Sequence, residues 1–167
     1  MNNNTVCFTG HRKIPPKQYS NIAGTLRSSL WMNCTALIEL IEQGYLYFGA
    51  GGALGFDTLA SKTVLHLKEE YPQIKLILVL PCKTQTNGWD KDDIEIYEDI
   101  KSRCDKFVYT SYEYTRGCMF KRNRHLVDFS SVCICYLTEH TGGTAYTVEY
   151  AKKQGLSVIN VATQLPS

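Results

Sequence analysis

Four short stretches of the chain hold the residue types that handle a negatively charged ligand. They are Thr9-Gly10-His11-Arg12, the glycine-rich run Gly49 to Gly55 followed by Phe56-Asp57, Pro81-Cys82-Lys83 with Trp89 just beyond, and Gly142-Gly143-Thr144. Glycine has no Cβ, so backbone N–H groups in such a turn can come close to an anion. A helix opening directly after the turn adds partial positive charge. Between the last two stretches lies the basic run Lys121-Arg122-Asn123-Arg124-His125. An arginine there offers a planar fork that matches phosphate oxygens, although a solvated helix face is an equal use for the same residues. Asp57 is read either as an acid at a helix start or as an acceptor for a ligand hydroxyl. Trp89 either covers a core edge or stacks on a ring. The glycine spacing is not GxGxxG and follows the second apolar run, so a conventional dinucleotide dehydrogenase is not indicated.

The elements that must position these stretches follow from periodicity. Thr5–Thr9, Tyr45–Phe48, Ile74–Leu80, Lys106–Tyr109, Ser131–Leu137 and Ser157–Val161 read as strands. Helices are predicted where apolar residues recur at helical spacing. The first runs from Leu26 through Leu30, Cys34, Leu37 and Ile41. The others are Thr58 to Tyr71, a helix starting at Trp89, Cys118 to Phe129, and Thr144 to Gln154 with Thr144 as cap. The tail from Ala162 reads as frayed. Alternation with short connections predicts a single α/β domain over residues 1–167, with a mostly parallel sheet and helices on both faces. In such a sheet every strand's carboxyl end lies along one edge, and ligands bind where strand order reverses. The unusual stretches all follow strand ends, so they are expected to converge on one crevice suited to a phosphorylated nucleotide or nucleotide sugar.

Composition narrows the classes. The 167 residues are 44% hydrophobic and 20% charged, with a formal net charge of +2. That charge is too small to argue for nonspecific binding to nucleic acid or to a membrane, so neither is expected as a partner. No apolar run reaches the length of a membrane span, and Met1-Asn2-Asn3-Asn4 lacks signal-peptide character, so a cytoplasmic protein is expected. The seven cysteines form no CxxC pair and do not cluster with the four histidines. Buried thiols in a reducing compartment are the reading, with no metal site and no cofactor.

In order and spacing, Phe8-Thr9-Gly10-His11-Arg12, Gly52-Ala53-Leu54-Gly55-Phe56-Asp57, Pro81-Cys82 with Trp89, Arg122-Asn123 with Leu126-Val127-Asp128, and Gly142 to Thr147 resemble the SLOG superfamily. That superfamily includes DprA (Smf) proteins and LOG-type nucleotide phosphoribohydrolases, and the nearest likeness is to its YpsA-like (DUF1273) branch. The resemblance covers Val6 to Val161. It implies a Rossmann-like fold that senses or sequesters a nucleotide-derived ligand, with ADP-ribose or NAD-related molecules foremost. The implied ligand-binding residues are Thr9, Gly10, His11, Arg12, Gly51, Gly52, Gly55, Asp57, Pro81, Trp89, Arg122, Asn123, Gly142, Gly143, Thr144 and Thr147. It also implies homo-oligomers. Two alternatives come with it. One is a LOG-type N-glycosidase acting on a nucleoside monophosphate, in which Arg122 and Glu149 take the catalytic places. The other is single-strand binding as in DprA. Departures from the hydrolase pattern are Thr141 for proline, Ala145-Tyr146 for Gly-Thr, and Phe120 and Asn123 for His and Lys.

Overall fold

The computed structural model describes residues 4–18 and 36–164. Six strands form one parallel sheet: β1 (Thr5–Gly10), β2 (Tyr47–Ala50), β3 (Lys75–Leu80), β4 (Lys106–Tyr109), β5 (Val132–Tyr136) and β6 (Ser157–Asn160). Between them run α1 (Ala36–Glu42), α2 (Phe56–Leu67), α3 (Lys91–Arg103), α4 (Cys118–Asp128) and α5 (Gly143–Lys153), and a 3-10 turn (Val161–Gln164) follows β6. The strand order is β4-β3-β2-β1-β5-β6. The chain thus winds outward from β1 to β4, then crosses back and continues from β5 to β6. The reversal falls between β1 and β5, where Gly10 pairs with Tyr136.

Parallel register puts paired residues on the same face. Val6 and Phe8, Phe48 and Ala50, and Leu76, Leu78 and Leu80 pack with α1, α2 and α3 into the larger core. Cys7, Val79, Cys133 and Cys135 pack with α4 and α5 into the smaller one. Three of those four are cysteines acting as small apolar residues in a sheet centre. The six described cysteines are all free, and Cys7, Cys133 and Cys135 are buried as expected. Burial pushes the Cys135 thiol up to about 12, far from thiolate chemistry.

Several boundaries differ from the sequence reading. β2 runs on through Gly49 and Ala50, which pair with Ile77 and Leu78 of β3, and a Cβ at Gly49 would lie 2.9 Å from Leu126 Cδ2: that glycine is a strand residue on which α4 rests. α2 starts at Phe56, two residues early, after Gly55 at φ 77°. Trp89 precedes α3, packs edge-on against Tyr97 with ring centroids 5.7 Å apart, and covers the rim of the larger core. The N-cap of α5 is Gly142, with Thr144 already inside the helix and no side-chain cap. Val161 to Gln164 make a turn and not a frayed tail. Leu26, Leu30 and Cys34 of the first predicted helix lie outside the described residues. Among the described residues no helix is long and apolar enough to cross a membrane.

Candidate functional site at the strand reversal

A crevice of about 370 Å³ opens at the carboxyl ends of β1 and β5. One wall is the chain leaving β1, Thr9 to Arg12; the opposite wall is Thr141 to Thr144 at the start of α5. Ala53 and Asp57 form its floor, with Met119, Arg122 and Asn123 of α4 along the remaining side. This is the position the reversal of strand order predicts for a ligand.

The two glycine turns stand differently toward this crevice. At the first, Asp57 turns its carboxylate back onto the turn, and Oδ2 accepts the N–H groups of Gly51 and Ala53 at 3.2 Å each. Those are donors that the sequence reading offers to a phosphate. The Gly51 carbonyl accepts from Arg122 Nη1 and, at 3.1 Å, from Gln85 Nε2. A Cβ at Gly51 would meet the Arg122 guanidinium, one at Gly52 would lie 2.6 Å from Leu80 Cδ2, and one at Gly55 would lie 2.6 Å from the His11 carbonyl oxygen. These glycines admit protein, not ligand, and none of the three lines the crevice. At the second turn, Gly142 and Gly143 have nothing within 4 Å of the Cβ position. No side chain caps α5, so its first-turn N–H donors remain free of the helix's own bonds.

Arg122 and Asp57 share the buried floor, at 4% and 5% exposure. Burial pushes the Asp57 carboxyl above its ordinary range, opposed by the Arg122 charge, the two N–H bonds and Arg12. Burial lowers the Arg122 pKa, with Asp57 opposing, and the guanidinium stays charged. Arg122 Nε donates to Asn123 Oδ1 at 2.6 Å, Asn123 Nδ2 donates to Thr147 Oγ1 at 2.9 Å, and Thr147 Oγ1 donates to the Gly143 carbonyl at 2.8 Å. A side-chain chain of hydrogen bonds therefore links the Gly51 carbonyl to the Gly143 carbonyl. Among the described residues Arg122 Nη2 is paired only with the Met119 thioether, 4.0 Å away, and both residues line the crevice.

His11 joins the two walls. Its carbonyl accepts the first α2 donor, Phe56 N–H, at 3.2 Å, and its Nε2 accepts the N–H groups of Thr138 and Glu139 at 2.9 and 3.3 Å. The ring serves here as a brace between the chain leaving β1 and the chain leaving β5.

Of the residues expected at the site, Thr9, Gly10, His11, Arg12, Asp57, Arg122, Asn123, Gly142, Gly143 and Thr144 line the crevice. Thr147 lies behind it, reaching it through Asn123. Pro81 is buried just past the end of β3, Trp89 covers the core rim, and neither lines the crevice. Glu149 is exposed on α5 and paired with Lys152 at 3.1 Å, also outside it. Sequence reading missed Ala53, Met119 and Gln85. Gln85 is 6% exposed with Oε1 unpartnered, and a lone polar residue in the loop after β3 carried no signal of burial. Among the described residues no group of histidine, cysteine and carboxylate side chains is gathered to hold a metal.

The fold and crevice define a doubly wound Rossmann-like protein with its candidate site at the topological switch. The chain belongs to the YspA SLOG family, whose model matches residues 7–163. It is 33% identical over 122 residues to UPF0398 proteins of Bacillus thuringiensis (strain Al Hakam) and Bacillus cereus (strain AH187), a stretch covering 71% of this chain and 66% of each relative. Among solved structures it is similar to DNA processing protein A of Helicobacter pylori, reported for its single-stranded DNA binding mode. There the TM-score is 0.64 at 20% identity, over 92% of this chain and 63% of that one. DprA from Streptococcus pneumoniae gives the same TM-score at 16% identity, over 93% of this chain and 49% of that one. The single-stranded DNA binding reported for the first of these neighbours runs against the expectation that nucleic acid is an unlikely partner. The expectation rested on net charge, which averages over the whole surface and says nothing about a local basic wall.

Proposed function

We propose that the crevice binds the phosphate end of a nucleotide-derived metabolite, with ADP-ribose and NAD-related molecules as the leading class. The observation that carries this reading is the uncapped start of α5, whose donors border a crevice shared with Arg12 and Arg122. Helix N–H groups and a partial positive charge meet two guanidinium side chains across a space of nucleotide-fragment size. Asp57 supplies the one carboxylate on the floor, an acceptor for a ribose hydroxyl. The arrangement supports holding a ligand more than hydrolysing it. The acid in the catalytic glutamate's place, Glu149, stands on the exposed side of α5.

Thermal unfolding with AMP, ADP-ribose, NAD and inorganic phosphate tests this. A binding nucleotide raises the transition by mass action, by about 2.7 kcal/mol at a hundredfold excess over Kd. Gly143→Asp and Arg12→Ala abolish or sharply reduce that rise while leaving the unliganded protein folded. A rise of the same size in Gly143→Asp places the ligand elsewhere and ends the reading. A second reading, binding of single-stranded nucleic acid, has the likeness to DprA in its favour. It requires oligonucleotide affinity that falls steeply with salt.

A further inference from the structure

The two faces of the sheet are covered unequally. Among the described residues, α1, α2 and α3 share one core and only α4 and α5 the other. Strands lie about 4.8 Å apart, and a helix with its side chains is about 10 Å wide, so one helix roofs about two strands. α5 contacts β1, β5 and β6, and α4 contacts β1 and β3. Outside α4, toward the β4 edge, a strip about one helix wide is left open by the described residues.

That strip is a groove of about 760 Å³. Its floor is aliphatic: Ile77 and Val79 of β3 and Val108 of β4, beside Leu126 of α4. Its rims are basic: Lys106 on one side, Lys121 and Arg124 on the other. Among the described residues none of these three is ion-paired. Asp128 is the one acid lining the groove, and it accepts the Tyr150 hydroxyl at 2.7 Å.

We infer that this groove docks an amphipathic helix of a partner protein, its apolar stripe on β3 and β4 and its flanks acidic. A helix on an uncovered parallel-sheet face is the packing the neighbouring strands already use. An aliphatic floor seats leucine-type side chains at positions i, i+3, i+4 and i+7. Charge complementarity selects acidic flanks, and it disfavours a second copy of this chain, which would bring like rims together. A nucleic acid strand would find basic rims here, and the rings of Tyr47, Tyr109, His125 and Phe129 in the lining, but it carries no aliphatic side chains to fill the floor of Ile77, Val79 and Val108.

Methyl NMR of the full chain tests the docking, with Ile77, Val79 and Val108 as groove reporters and Ala53 as the crevice reporter. The probes are a leucine-striped, glutamate-flanked helical peptide about 15 residues long, a peptide of the same composition with the stripe scrambled, a lysine-flanked version, and a thymidine oligonucleotide. The striped acidic peptide shifts the groove methyls and leaves Ala53 in place; the scrambled and lysine-flanked peptides bind at least about tenfold more weakly. Lys121→Glu with Arg124→Glu, both exposed, inverts the preference between the two flanked peptides. The proposal is overturned by no groove shift at millimolar peptide, by equal binding of the scrambled peptide, by the oligonucleotide alone shifting the groove, or by a dimer that already covers those methyls.

Discussion

The two glycine turns look alike in the sequence and serve opposite ends. Each follows a strand, opens a helix and borders the same crevice. The turn after β2 is filled by the protein itself: Asp57 takes its donors, Arg122 and Gln85 take the Gly51 carbonyl, and the β1 exit lies against Gly55. The turn before α5 is empty beyond both glycines. A glycine therefore records that something comes close to the backbone without recording what. An acid two residues past the last glycine is the clue that the turn closes on itself, since a carboxylate there reaches the same N–H groups as a phosphate.

The sharpest way to break this contrast is to add one methyl group to each turn. Gly55→Ala brings a Cβ against the His11 and Arg12 backbone at a φ of 77°. Backbone cannot move aside as a side-chain tip can, so strain and overpacking together cost about 4 kcal/mol. The unfolding midpoint falls by about 10 °C. Gly143→Ala has open space and ordinary φ, and stability changes by no more than about 0.5 kcal/mol. Similar losses in calorimetry would show that the second turn is also filled.

A smaller effect separates the hydrogen bonds of Asp57 from its charge. Asp57→Ala orphans two N–H groups and strips Arg122 of its buried counter-charge, at about 3 kcal/mol. Asp57→Asn keeps an acceptor for those N–H groups and loses about half as much. The two forms differ with pH in a set direction. Burial raises the Asp57 pKa above its unfolded value, so its titration favours the folded state fully only below the unfolded value. That contribution is lost as pH rises through the folded value. The stability gap between wild type and Asp57→Asn is thus widest in acid and narrows as pH rises. A gap that widens instead would mean that the Arg122 charge outweighs burial.

The sheet was legible because six apolar runs, each ending in a glycine, proline or polar cluster, leave little choice of fold. The crevice was legible because strand ends share one edge. Which residues face it was only partly so. His11 and Arg122 read as residues that could face an anion, yet one accepts backbone N–H groups and the other is bound to a carbonyl. Trp89 and Pro81 follow a strand end as the true lining does, but β3 lies two strands from the reversal, so that loop packs on the core rim. Glu149 matches a motif position, while helical phase turns it outward. Periodicity locates an element well. It does not say which of its polar residues meets another polar residue first.

The smallest test concerns how the open turn is held. It is tied to the closed one through Arg122, Asn123 and Thr147, and the last link is the Thr147 hydroxyl, which receives Asn123 Nδ2 and donates to the Gly143 carbonyl. Thr147→Val keeps the shape and the 2%-exposed packing but leaves the Asn123 amide without its acceptor, at about 1 kcal/mol of stability. Thr147→Ser restores the hydroxyl and recovers most of that loss. If the link also holds the donors of α5 in place for an anion, nucleotide affinity measured by calorimetry falls several-fold in the valine variant and returns in the serine variant. A stability loss with unchanged affinity would mean that the open turn keeps its geometry without help from the closed one, and the two would then be independent neighbours.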